Sequence, residues 1–106
     1  MSRFAAIVAL AALGACPAAA QDGQPLRGTI QGFECGDNCY LTVNLGEAGV
    51  LSALCVAPAC EPWNAEVAIP DDLIGTRVTV AVGVGEQHQG GDSWGPYIAF
   101  LDVQME

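Results

Sequence analysis

Hydrophobic and polar residues alternate along most of the chain beyond residue 25. In "CYLTVNL" (39–45), Leu41, Val43 and Leu45 fall on one side, and Tyr40, Thr42 and Asn44 on the other. This is the period of a half-buried strand. "LRGTIQGFEC" (26–35) reads as a strand before it, with Gly28 and Gly32 where a barrel strand could bend. "VLSALCV" (50–56) reads as a third strand. "TRVTVAVGV" (76–84) is the clearest, with Val78, Val80, Val82 and Val84 on one face. "PYIAFLDVQ" (96–104) carries apolar residues on both faces, which predicts a strand with little solvent exposure.

The segments between strands complete the pattern. "GEAG" (46–49) predicts a hairpin turn centred between Glu47 and Ala48. That register sets Leu45 opposite Val50, Leu41 opposite Leu54 and Tyr40 opposite Cys55. Pro58, Pro62 and Pro70 rule out one long helix between strands three and four. Asp71 and Asp72 instead suit the start of a short helical turn that ends at Gly75. Residues 85–96 predict a long glycine-rich loop, with Gly90-Gly91 as a turn. The expectation is an all-β, five-stranded OB-type barrel with a short helical or irregular linker between strands 3 and 4. A small SH3-like barrel or an open sandwich is the alternative.

The N-terminus changes the picture by assigning a compartment. Arg3, the apolar run Phe4–Leu13 and the small residues after it have the layout of a secretory signal over 1–20. The run is shorter than the ~20 residues a spanning helix needs, so no transmembrane span is expected. Cleavage after Ala20 leaves 21–25 as a flexible leader and 26–106 as the barrel domain. A second reading takes "LGAC" (13–16) as a lipobox, with Cys16 acylated and the protein held at the outer membrane. The expected location is therefore periplasmic or secreted, with a possible lipid anchor.

Charge then excludes a class of partner. All 12 acidic residues follow the signal, and only Arg27 and Arg77 oppose them, for a net charge of −10. Nucleic-acid binding draws its affinity from Lys and Arg on phosphate; this chain has no Lys, and no nucleic-acid partner is expected. The acidic surface suits solubility, or a cationic partner.

The residues Leu26-x-Gly28-x-Ile30, then Gly36-Asp37-x-x-Tyr40, then Gly49 form a further pattern. It resembles a family of small exported bacterial OB-fold proteins. The resemblance covers about the first half of the mature chain. It implies a closed periplasmic barrel that binds some ligand and is linked to stress responses. The four remaining cysteines are not part of that pattern, and no functional residue is carried over from it.

Those cysteines are Cys35, Cys39, Cys55 and Cys60. The expected register brings all four to one end of the barrel. In an oxidising compartment, a small domain gains most from two disulfides. Three connectivities are open; Cys35–Cys39 with Cys55–Cys60 is favoured because both are local. A four-cysteine zinc site has spacing within the loose range for structural zinc, but its thiolates would have to survive oxidation. Redox catalysis wants C-x-x-C at a helix N-terminus; here Glu34, Asp37 and Glu61 are neighbours that disfavour a thiolate.

Few other residues suggest chemistry. His88 is the only histidine, with Glu86, Asp92 and Ser93 near it. A metal site or a hydrolase on Glu86, His88 and Asp92 is the rival reading, against a solvated loop histidine. A Ser–His–Asp catalyst needs an oriented base and an oxyanion hole, which one loop does not supply. Asp71-Asp72 reads as a helix start rather than an acid–base pair. "Gly83-Val84-Gly85" is no phosphate loop, since no G-K-[ST] follows. No cofactor motif is present. Tyr40, Trp63, Trp94 and Tyr97 are the candidate ligand-binding aromatics, against the plainer reading that they cover the barrel. The expected function is a non-enzymatic binding or interaction module of the bacterial cell envelope. Its partner would be a small ligand or an envelope protein that the sequence does not identify.

Overall fold

The computed structural model describes residues 24–106. The signal over 1–20, the candidate lipidation site Cys16 and most of the leader 21–25 lie outside the described residues. Five strands form a closed barrel: β1 (Pro25–Cys35), β2 (Cys39–Asn44), β3 (Val50–Cys55), β4 (Arg77–Gln89) and β5 (Asp92–Met105). Around the barrel they run β1-β2-β3-β5-β4, closing back on β1. All neighbours are antiparallel except β3 and β5. The all-β five-stranded barrel read from alternation is the fold observed. No helix among the described residues is long and apolar enough to cross a membrane.

The core follows from which faces point inward. Ile30, Leu41, Val43, Val78, Val80, Phe100 and Val103 are buried together. Two β-bulges decide which residues these are. In β1 the register shifts between Ile30, opposite Val43, and Gly32, opposite Thr42. The extra residue resets the alternation, so Phe33 rather than Gly32 lies opposite the buried Leu41. In β5 the register shifts across Leu101: Ala81 pairs Asp102, but Val82 pairs Phe100. Phe100 is thus 0% exposed while Leu101 is 44% exposed. The two-sided apolar pattern of the fifth strand therefore comes from a bulge, and the expected low exposure does not hold for Tyr97, Ile98 and Leu101.

Gly28 answers a close approach. A Cβ built there would lie 2.5 Å from the Asn44 carbonyl oxygen and 2.7 Å from Val43. No other residue lets the end of β2 come so near β1. Just beyond it, Thr29 is shared between both neighbours, opposite Asn44 of β2 and Arg77 of β4.

The β2–β3 turn is longer by half a step than "GEAG" implies. Leu45 N–H donates to Gly49 O at 2.8 Å, enclosing a 3-10 turn over Gly46–Ala48. The centre is Glu47, so Leu41 lies opposite Ala53 and Tyr40 opposite Leu54. The expected register is corrected by one residue. The physical reason is that Gly46 and Gly49 both take positive φ (74° and 97°), which accommodates a five-residue loop.

The expected loop 85–96 is corrected as well. These residues continue β4 and β5 as a hairpin arm, closed by Gly90 and Gly91 at φ 61° and 93°. Two consecutive positive-φ residues make the two-residue turn that matches strand twist. The polar, glycine-rich composition hid the strands, because backbone pairing rather than side-chain burial holds them. Val84, which alternation sets on one face with the buried Val78 and Val80, pairs with Ile98 just before this arm and is 67% exposed.

The linker between β3 and β4 holds 3-10 turns at Pro58–Cys60 and Asp71–Leu73 and one short helix, α1 (Glu61–Glu66). Ala57 and Cys60 are buried within the core cluster.

Candidate functional site

Both cysteine pairs are joined locally, Cys35 to Cys39 and Cys55 to Cys60. Cys35 lies opposite Cys39 at the last rung of β1 and β2, and Gly36 N–H donates to Asn38 O at 2.8 Å within the turn they close. Cys55 ends β3, and its bridge ties the strand to the turn that leads into α1. With all four sulfurs paired, none is free to serve as a zinc ligand or an attacking thiol.

A cleft of about 280 Å³ lies at this end of the barrel. Four segments wall it. The β1–β2 turn contributes Asp37, Asn38 and Cys39; the end of β3 contributes Leu54, Cys55 and Val56; Asn64 comes from α1 and Glu86 and His88 from β4. The arm is held against the turn by one side chain. Asn38 Nδ2 donates to His88 O at 2.9 Å, and His88 N–H donates to Asn38 Oδ1 at 2.8 Å. A second tether runs from Gln87 Nε2 to the Tyr40 hydroxyl at 2.7 Å. On the linker side, Asn64 Nδ2 donates to Cys55 O at 2.9 Å. Asn64 Oδ1, in contrast, is buried without a hydrogen-bond partner. Among the described residues it is the one buried side-chain polar atom left so, and such an atom carries a desolvation cost.

The aromatics divide. Tyr40 and Tyr97 come together edge to face, centroids 6.0 Å apart. Trp63 packs against the core and meets Phe33 edge to face at 6.3 Å. Trp94 stands on the arm at the β5 register shift and is 64% exposed.

The three candidate metal ligands are also separated by the pairing. His88 lies opposite Ser93, Glu86 opposite Pro96 and Asp92 opposite Gln89. Glu86 accepts a hydrogen bond from the Ser93 hydroxyl. Among the described residues no group of three His, Cys, Asp or Glu could hold a metal ion. His88 and Glu86 share the cleft, while Asp92 is not among its walls. The residues that sequence reasoning passed over are Asn38, Asn64, Leu54 and Val56. Asn38 alone had a signal: it sits between two cysteines where a turn residue with a free amide can bond another backbone.

A second cavity, about 490 Å³, lies at the other end of the barrel, by the β2–β3 loop. It holds Arg27 and Arg77, whose Nε atoms lie 3.2 and 3.7 Å from the Glu106 carboxylate. Both guanidiniums are strongly exposed, and each meets the Glu106 carboxylate through its Nε. No protein-family model, curated protein or solved structure matches the chain.

Proposed function

We propose that this protein is a small exported binding module of the bacterial cell envelope, without catalytic activity, and that its ligand seats in the cleft between the two disulfides. The observation that carries this reading is the way the cleft is built. Four segments of the chain are fixed around it by two covalent bridges, the Asn38–His88 pairing and the Asn64–Cys55 hydrogen bond. Rigid support of a concave, mixed polar and apolar surface is what a binding site needs. The signal-like N-terminus and the paired cysteines favour an oxidising compartment. The rival metal or hydrolase reading on Glu86, His88 and Asp92 has weaker support, since Asp92 stands apart from the other two.

The test is a nuclear magnetic resonance screen of small fragments and envelope extracts on the oxidised exported protein. Saturable shifts confined to Asn38, Asn64, Glu86 and His88 are expected. Shifts confined to other surfaces, or turnover of a substrate, would overturn the reading. Intact mass of the exported form, with and without reductant, reads the cleavage site, acylation at Cys16 and bridge count together.

A further inference from the structure

We infer that the cleft receives an extended peptide segment of a partner protein, which adds to the sheet as a strand along the open edge of β4. This rests on the binding-module reading above and names the kind of partner for the same site.

β4 has a gap in its pairing. Its edge away from β5 is paired to β1 only as far as Pro25, opposite Ala81. Further along, Asn38 meets that edge and takes both the N–H and the C=O of His88 with its side-chain amide. Between these two points, residues 82–87 have β5 as their one partner strand.

The backbone groups in the gap face outward. Along a strand in an antiparallel ladder, alternate residues turn their N–H and C=O toward the same neighbour. His88 turns its pair toward Asn38, so Glu86 and Val84 turn theirs to the same side. Pro96, opposite Glu86, has no N–H and cannot form a doubly bonded rung with it. The nearby bulge falls at Trp94, in β5, and leaves the alternation of β4 intact. Among the described residues, no group outside β5 bonds the N–H or C=O of Val84 or Glu86. A row of open donors and acceptors at strand spacing is matched by extended backbone.

The surroundings give the added strand a preferred sequence. Glu86 and His88 of this edge wall the cleft together with Leu54 and Val56. Gly85 faces the same two apolar residues: a Cβ there would lie 3.3 Å from Leu54 and 3.6 Å from Val56. A partner residue opposite Gly85 sets its side chain on that face, which suits an apolar one. Val84 and Glu86 lie on the other face and suit a β-branched residue and a cation as cross-strand neighbours.

The chain itself is a poorer source of that strand. Pairing two copies along this edge brings two Glu86 carboxylates together on strongly acidic chains. The ladder from β1 ends at Pro25, and Gln24 before it lies outside the strand.

The experiment titrates the oxidised protein with the peptide Thr-Lys-Val-Val-Thr, blocked at both ends. Set antiparallel, it places Lys opposite Glu86 and its two Val opposite Gly85 and Val84. Two isomers carry N-methyl groups, one on the Lys and second Val amides that face β4, the other on the first Val and last Thr amides that face away. Amide shifts and hydrogen exchange are read by nuclear magnetic resonance. The Val84 and Glu86 amides should exchange fast in the free protein and become protected as the peptide saturates, with shifts at Asn38 and His88. Methylation of the facing amides should weaken binding by at least about tenfold, the scale for losing two hydrogen bonds, and methylation of the others should not. Equal affinity of the two isomers shows side-chain contact rather than strand pairing and overturns the inference. Slow exchange at Val84 and Glu86 in the free protein overturns it too, since the edge is then already filled: by a second copy if dilution restores fast exchange, by the chain itself if not. If small fragments saturate the cleft while the peptide does not bind, this inference fails and the binding-module reading stands. If nothing perturbs the cleft, both fall.

Discussion

Asn38 clasps the backbone of His88, fifty residues away in sequence, through both ends of its amide. One side chain thus does for the β4–β5 arm what a neighbouring strand would do: it satisfies one N–H and one C=O together. The Cys35–Cys39 bridge closes the turn that presents it.

Asn38→Ala removes both bonds. At ~0.5–1.5 kcal/mol net for each, the loss should be about 1–3 kcal/mol of stability, read as a lower urea midpoint at unchanged slope. The His88 amide should exchange with solvent far faster. Unchanged exchange at His88 would show that the arm is held by other contacts.

The two disulfides should not be equivalent. Cys55 and Cys60 are 2% and 0% exposed and belong to the core, whereas Cys35–Cys39 closes a partly exposed turn. Both close short loops, for which unfolded-state entropy supplies about 2 kcal/mol. Paired alanine replacement of Cys35 and Cys39 should cost about that much. Replacing Cys55 and Cys60 also opens space in the core, so its cost should be about 3–5 kcal/mol. Denaturant unfolding of both variants under non-reducing conditions checks the order, and a reversed order would refute this division.

Gly28 and Gly32 look alike in the sequence and differ in space. A Cβ at Gly28 collides with the Asn44 carbonyl, while one at Gly32 meets nothing within 4 Å. Gly28→Ala is expected to cost about 2–3 kcal/mol through a forced backbone shift, and Gly32→Ala less than about 0.5 kcal/mol. Thermal midpoints separated by less than a few degrees would count against the close approach.

Val67 ends α1 at φ 51°, the one non-glycine residue among the described residues with positive φ. Its N–H still reaches back to Asn64 O, at 3.3 Å. A β-branched residue is disfavoured there by about 1–2 kcal/mol, and at 64% exposure it loses little burial on replacement. Val67→Gly should therefore stabilise the protein by about 0.5–1 kcal/mol, raising the melting temperature by a few degrees in calorimetry. A lower melting temperature would show that packing, not conformation, governs this position.

Much of the barrel was legible from period alone. "CYLTVNL" and "TRVTV" carry strict alternation because one face of each meets the core. The bulges were not legible, because an inserted residue leaves no composition of its own. Leu101 and Phe100 look equally fit for burial, and only the neighbouring strand decides between them. The arm escaped for the opposite reason: Glu86, Gln87 and His88 pair through backbone atoms and leave no apolar period to detect. The disulfide end was legible from cysteine spacing. The cleft was not, since its walls come from residues whose meeting depends on the arm folding back to Asn38.

One seam of the barrel has further meaning. β3 and β5 meet through two rungs, Leu54 with Ala99 and Cys55 with Phe100, while β4 and β5 run paired along nearly their whole length. The cylinder is thus fastened like a collar with a single clasp, and half of that clasp is a cysteine bound to Cys60. The narrowest fastening of the cylinder is packed from within by Ala99 and Phe100, both 0% exposed, while a covalent bridge anchors one side of it to the linker.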